Sequence, residues 1–346
     1  MIIAERLKFN SNKFIFYKFK KNKIYKEIQK IVKTKNFEEK NCVICNKKKF
    51  EIINELDRYG FYYPTGICKN CGMVQQSSYY NEIFLKKFYS EYYNFFYSHF
   101  KNPEERFHSQ YESAKKSYNY VKQFLHNKNS NILEIGCGAG GILKYYNNMG
   151  YDTKGLDYDD DQLNYGISQG LDLENLNKYS SQNKYDLVIL SHVLEHMSEP
   201  EREIKKAKEF LKENGYLYIE VPSIHSIKNL NYNYNIKNFF HIAHYLHFSL
   251  NSFTNFMNKN RLKIIKINDE IQCVAAKLFD EKIEIKSSYK TDLIELKNIE
   301  NYYQKNKIKL FIKKYIFRIK YNLIIFIKKI IPKRFILIIK KILITK

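Results

Sequence analysis

The chain has 346 residues, 44% of them hydrophobic and 27% charged, and a formal net charge of +23. That composition suits a globular chain with a buried core and excludes a disordered one. No uncharged apolar run approaches the ~20 residues of a membrane span, and the opening MIIAERLKF lacks a signal-peptide core, so the expectation is a cytoplasmic protein with reduced thiols.

The charge is unevenly held. Residues 1–41 carry 12 Lys/Arg against 4 Asp/Glu, and residues 305–346 carry 14 against none, whereas 42–304 carry 33 against 32. A nucleic-acid-binding body spreads basic charge over its contact face. A neutral body with basic ends does not, so nucleic acid is not expected as a partner. Abundant Lys, Asn and Ile beside 31 Tyr also point to a compositional bias, which leaves part of the lysine uninformative.

In chain order, residues 1–41 read as a basic extension and 42–79 as a small metal-binding module. Residues 80–127 read as a helical connector rich in Tyr and Phe, 128–285 as an α/β domain, and 286–346 as a basic amphipathic tail. Within the module, Cys42-x2-Cys45 and Cys68-x2-Cys71 stand 22 residues apart. Two tight turns face to face supply the four thiolates of a tetrahedral zinc site, and Gly72 permits the left-handed turn that follows the second pair. One redox pair is the rival reading, but two matched pairs favour zinc. A closed four-sulfur site has no open position, so Cys42, Cys45, Cys68 and Cys71 are read as ligands of a structural Zn2+.

From residue 132 the pattern becomes alternating strands and helices. A buried strand is predicted over 132–135, a helix over 141–148, and a strand over 153–156 that ends on Asp157. Another strand spans 186–190. Ser198-Glu199-Pro200-Glu201 reads as a capping box opening a helix that runs to Gly215, followed by a strand over 216–221. A hairpin pairs 261–267 with 272–279. The third strand, between 158 and 186, cannot be placed. Cys273 is read as a buried strand residue. The fold class is α/β: a Rossmann-like doubly wound sheet with a final antiparallel hairpin, preceded by a small zinc-ribbon-like module.

Glu134-Ile135-Gly136-Cys137-Gly138-Ala139-Gly140-Gly141 lies at a strand-to-helix turn, where small residues let a cofactor approach the backbone and the helix N-terminus. Gly136, Gly138 and Gly141 also spell G-x-G-x-x-G, so a dinucleotide remains open from the residues alone. Asp157, 21 residues after Gly136, could accept ribose hydroxyls of either cofactor.

The glycine loop, the strand DLVIL, the segment SHVLEHMSEP and the run Gly215 to Pro222 together resemble class I S-adenosylmethionine-dependent methyltransferases. More narrowly, they resemble those of ubiquinone and sugar pathways. The resemblance covers roughly 115–285. It implies S-adenosylmethionine as cofactor, with Glu134, Gly136, Gly138 and Gly140 around its methionine end and Asp157 on its ribose. The segment from Asp57 to Val74 is similar to the zinc-binding module of sugar methyltransferases. Those acting on carbon usually carry a long further C-terminal domain. Only about 60 residues follow the last strand here, which favours an oxygen acceptor.

His192, Glu195 and His196 follow the strand DLVIL at the carboxyl end of the sheet, where open α/β sheets bind ligands. A sugar hydroxyl must lose its proton as the methyl arrives, so a base is needed there. His192 is the expected base, and Glu195 is expected to order the loop. His244, five residues before Ser249, is implied by the resemblance to lie beside the acceptor. Glu195, His196 and a loop histidine could also share a divalent ion, as in some quinone-type relatives.

The expected function is methyl transfer to a sugar, at a hydroxyl, in surface-glycan synthesis. The substrate would be a sugar nucleotide or lipid-linked glycan. The alternatives are an RNA methyltransferase with a zinc module and a sugar C-methyltransferase. Adenine amino-methylating enzymes place an N/D-P-P-aromatic turn where this chain has Ser191-His192-Val193. The tail, with Lys333-Arg334 and Lys340-Lys341 seven residues apart, reads as a basic amphipathic helix. It could rest on an anionic membrane face, peripheral to the inner leaflet, or dock on the protein itself.

Overall fold

The computed structural model describes residues 2–8, 23–33, 37–80, 87–92, 96, 100, 102–125, 129–180, 182–278 and 284–330. In chain order these form α1 (Lys23–Lys33), β1 (Phe37–Glu39), β2 (Phe50–Leu56), β3 (Tyr62–Cys68), β4 (Val74–Gln76), β5 (Ser78–Tyr80) and α2 (Pro103–Val121). Then come β6 (Asn131–Ile135), α3 (Gly141–Asn148), β7 (Asp152–Asp157), α4 (Asp160–Ser168), β8 (Asp172–Asn175), β9 (Tyr185–Ser191), α5 (Pro200–Phe210) and β10 (Leu211–Glu220). The chain continues through α6 (Ile236–Phe239), β11 (Leu246–His247), α7 (Leu250–Lys259), β12 (Leu262–Ile267), β13 (Gln272–Lys277) and α8 (Tyr289–Ile330).

The main sheet runs β12-β13-β10-β9-β6-β7-β8. Its members β10, β9, β6, β7 and β8 are parallel, and β13 is antiparallel to both β10 and β12. This is the doubly wound sheet with a closing hairpin that the alternation predicted. Strand order reverses between β6 and β9, the kind of point outside whose carboxyl ends open α/β sheets bind their ligands. Fully buried Leu187, Val188, Ile189 and Leu190 show why DLVIL reads as an unbroken apolar run, since both faces of β9 are covered.

Capping sets several helix starts. The Asn102 side chain accepts from Glu105 N–H, Pro103 fills the first turn of α2, and Glu104 and Glu105 complement its positive end. Ser249 and Ser252 form a reciprocal capping box for α7. The box predicted at Ser198 is not made: Glu199 holds the cap position of α5 without a side-chain bond. That helix also ends at Phe210, short of Gly215. Leu211, 1% exposed, is drawn into the sheet beside Tyr185, and β10 then bulges before resuming at Tyr216. The third strand is β8, a four-residue edge strand in which Leu173 alone is buried, too little apolar pattern to announce itself.

A second, antiparallel sheet runs β11-β4-β3-β2. Its fourth strand, β11, comes from the excursion between β10 and α7, so the cysteine-bearing segment is completed by residues far along the chain. Tyr25, Phe61, Tyr63, Phe88 and Phe96 share one core with Ile224, Ile227, Phe239 and Phe240 and with Leu293, Leu296 and Ile299 of α8. The tail therefore begins as a docked helix. Lys333, Arg334, Lys340 and Lys341 lie outside the described residues.

Candidate active site

The glycine loop turns from β6 into α3. Gly136 has φ +77°, its N–H donates to Leu156 O at 2.7 Å, and a Cβ there would stand 2.6 Å from a Val193 methyl carbon. The loop is thus pressed against the segment that carries Glu195. Gly140, φ +79°, is the N-cap of α3. Both positions need the left-handed backbone that glycine adopts without cost.

Asp157, at the end of β7, closes the loop. Its Oδ2 accepts from Gly138 N–H at 2.7 Å, and its Oδ1 accepts from the N–H groups of Tyr158 (2.7 Å) and Asp159 (3.0 Å). Glu134 is 1% exposed, and its Oε2 meets no hydrogen-bond partner among the described residues. Burial, with Asp157 beside it, pushes its carboxyl well above the carboxylate range, while Arg106 pulls the other way. Cys137 and Cys273 are buried, and burial raises both thiols, Cys273 to about 12.

Two side chains of α2 that sequence reasoning missed complete the loop. Gln110 donates to Cys137 O at 3.0 Å and accepts from Gly141 N–H at 3.3 Å. The Arg106 guanidinium lies over Gly138, with Nε 2.8 Å from where a Cβ would be. Neither follows a motif, since a lone Arg on a polar helix has no signature. Only their neighbourhood to the loop marks them.

His192 follows β9 with φ +56° and is held there by its N–H donating to Glu220 O at 2.8 Å. Its Nδ1 lies 3.2 Å from Glu195 Oε1. The imidazole side chain is 56% exposed, whereas Glu195 is buried. Desolvation at the inner edge of the ring lowers the His192 pKa, but the Glu195 carboxylate, with Glu220 behind it, outweighs this and the net direction is upward.

Behind this pair lie His196 and, from the excursion, His241, His244 and His247. Ring centroids of His196 and His244 are 4.6 Å apart, and those of His241 and His244 are 3.6 Å apart. His196 Nδ1 meets Ala243 O at 2.9 Å, so Nδ1 carries the proton. Burial pulls His196 down and His244 well down, holding both rings neutral. Donor atoms of Glu195, His196 and His244 all lie within 4.8 Å of one another, close enough to ligate one cation. His247 stacks behind, its Nε2 2.9 Å from the Tyr63 hydroxyl, and Tyr63 in turn donates to His244 O.

The four cysteines converge as their spacing predicted. Cys42 Sγ is 3.4 Å from Cys71 Sγ, and Cys45 Sγ is 3.4 Å from Cys68 Sγ, with no disulfide among them. Hydrogen bonding to Cys68 and Cys71, with burial, holds the Cys42 thiol far above its usual range, and hydrogen bonding to Cys42 and Cys71 draws the Cys68 thiol far down. Thiols so close oppose one another's ionisation unless a cation stands between them, and the donor set fits tetrahedral zinc. From β4, the strand that follows Cys71, a short relay reaches the site. Gln76 N–H donates to Tyr245 O at 2.8 Å, and Tyr245 N–H donates to Glu195 O at 2.7 Å.

Residues 98–267 match the model of a family described as a methyltransferase domain. That match gives the stretch its class: a domain of the S-adenosylmethionine-dependent methyltransferases. It begins ahead of α2, so Arg106 and Gln110 fall within it. Among similar proteins, a ubiquinone biosynthesis O-methyltransferase of Hydrogenovibrio crunogenus is 28% identical over 109 residues, covering 29% of this chain and 45% of that protein. A probable (S)-tetrahydroprotoberberine N-methyltransferase of Papaver bracteatum is 31% identical over 102 residues, covering 26% of this chain and 28% of that protein. The chain thus spans less than half the length of either relative. A crystal structure of a SAM-dependent methyltransferase from Methanosarcina mazei aligns with TM-score 0.38 and 18% identity, covering 47% of this chain and 99% of that one.

Proposed function

We propose that this chain transfers the methyl group of S-adenosylmethionine to a hydroxyl of a sugar carried on a nucleotide or a lipid. The observation that carries the reading is the His192–Glu195 pair beside the glycine loop. With Nδ1–H donating to Glu195, the neutral imidazole keeps Nε2 free to accept a proton at the exposed end of the ring.

S-adenosylmethionine supplies a methyl on a cationic sulfonium, an activated leaving group. The chain's residues supply the rest. The loop from Gly136 to Gly140 and Asp157 would hold the cofactor's methionine end and ribose, as the resemblance implies. Arg106, a cation over the loop, suits the methionine carboxylate, and the bare Glu134 Oε2 can accept from the loop's or the cofactor's N–H groups. His192 Nε2 would take the acceptor's O–H proton, and the bound cofactor would supply the methyl on its sulfonium, leaving as the neutral thioether S-adenosylhomocysteine. His244, buried behind Glu195, would orient the acceptor from that side. The sugar class is supported by the cysteine segment's likeness to the zinc module of sugar methyltransferases; of the two similar proteins one is an O- and one an N-methyltransferase, so the oxygen acceptor rests on the His192–Glu195 base. Zinc at Cys42, Cys45, Cys68 and Cys71 would fix the sheet on which the acceptor segment rests.

Incubation with methyl-labelled S-adenosylmethionine and separate sugar-nucleotide, glycolipid and RNA pools tests the acceptor. Label is expected in a sugar pool, stable to conditions that cleave methyl esters. Label in RNA alone would replace the sugar reading.

A further inference from the structure

The last described stretch of α8 has a face that the methyltransferase reading does not use. Between 307 and 319 the helix stands clear of the body on most of its circumference. Leu310, 5% exposed, is the buried residue of this stretch, and its carbonyl accepts from Asn233 Nδ2 at 2.9 Å. On the opposite side lie Ile308 (72% exposed), Phe311 (71%), Ile312 (51%), Tyr315 (60%), Ile316 (48%) and Ile319 (51%). Their spacing, i, i+3, i+4, i+7, i+8 and i+11, sets them in one stripe. By the same geometry Lys309 and Lys313 line one edge and Lys307 and Arg318 the other. No acidic residue occurs from 301 to the end of the sequence.

We infer that this stripe lies in the surface of an anionic lipid bilayer, with the isoleucines and Phe311 among the acyl chains and the flanking cations at the headgroups. Charge decides among occupants. A second copy would bring two cationic edges together around the stripe. A nucleic-acid backbone would meet the cations but leave the apolar stripe, the centre of the face, in contact with phosphate. No described helix is long and apolar enough to cross a membrane, so the contact lies along the surface. Leu310 fixes the helix by its other side, so the stripe faces away from the body. The inference stands apart from the choice of methyl acceptor, because its readout is binding and not turnover.

Flotation of the full chain with phosphatidylcholine vesicles, with and without phosphatidylglycerol, tests it. Binding is expected only when phosphatidylglycerol is present, and it should weaken as salt rises. Phe311→Asp combined with Ile312→Asp changes only exposed positions and should cut the bound fraction by about tenfold or more. Lys309→Glu combined with Lys313→Glu should abolish the preference for phosphatidylglycerol, and a matching circular dichroism spectrum will show that each variant is folded. Equal binding by the Phe311/Ile312 variant, or no vesicle binding by the unaltered protein, overturns the inference. So does a stable dimer that Phe311→Asp dissociates, which would assign the stripe to a second copy.

Discussion

At the scale of the residue, the reaction turns on which nitrogen of His192 is free and at what pH. The imidazole accepts a proton only when neutral. Its pKa lies above the ordinary histidine value because the pull of Glu195 exceeds the loss from burial. The rate should therefore fall as pH is lowered through a value above ~6.5, and be full above it. In Glu195→Gln that acid limb should move to lower pH. In His192→Ala it should vanish, with kcat down by about a hundredfold to ten-thousandfold and cofactor affinity nearly unchanged. A pH–rate profile of each variant checks this, and an unaltered profile in His192→Ala would leave alignment as the source of rate. Asp157→Ala should weaken S-adenosylmethionine binding by about 1.5–3 kcal/mol, measured by equilibrium dialysis, since a charged acceptor is lost. These residues were legible because each sits in a short motif: glycines in a turn, an acid at a strand end, a histidine after DLVIL. Arg106 was not, because it meets the loop from a helix some 30 residues upstream and its own surroundings in sequence are ordinary.

At the scale of the element, the relay from β4 through Tyr245 to Glu195 links the cysteine cluster to the acceptor side of the site, while the glycine loop is held by α2, Leu156 and Asp157. The two should respond differently to loss of metal. Cys42→Ser is expected to remove one zinc per chain and raise the acceptor KM, while S-adenosylmethionine affinity largely survives. Metal analysis with paired titrations reads both, and reduced wild-type protein without zinc would contradict the assignment. Strand β9 and helix α3 were legible from apolar runs and glycine punctuation. The end of α5 was not, because Leu211-Lys212-Glu213 carries helical propensity that pairing of Leu211 with Tyr185 overrides. Nor was β8, whose burial is that of a short edge strand.

At the scale of the molecule, burial holds His244 and His247 of the excursion neutral, and that has a consequence for stability. Burial lowers His247 from 6.5 to about 3. Between those values the unfolded chain binds the proton and the folded one does not. Stability should therefore fall as pH drops through that window, by up to ~1.4 kcal/mol per pH unit from this group. Urea midpoints near pH 7 and near pH 5 should differ less in His247→Gln than in the wild type, and equal differences would exclude His247 as a source. The closing of the cysteine sheet by β11 joins residues some 170 apart in sequence, through a two-residue strand that no periodicity can announce. The sequence divides there into a module and a domain, while the packed chain shares one core between them. Calorimetric titration of the full chain with S-adenosylmethionine tests the central claim most directly. The account predicts saturable binding at one site per chain, weakened in Arg106→Ala and Asp157→Ala; absence of saturable binding would contradict it.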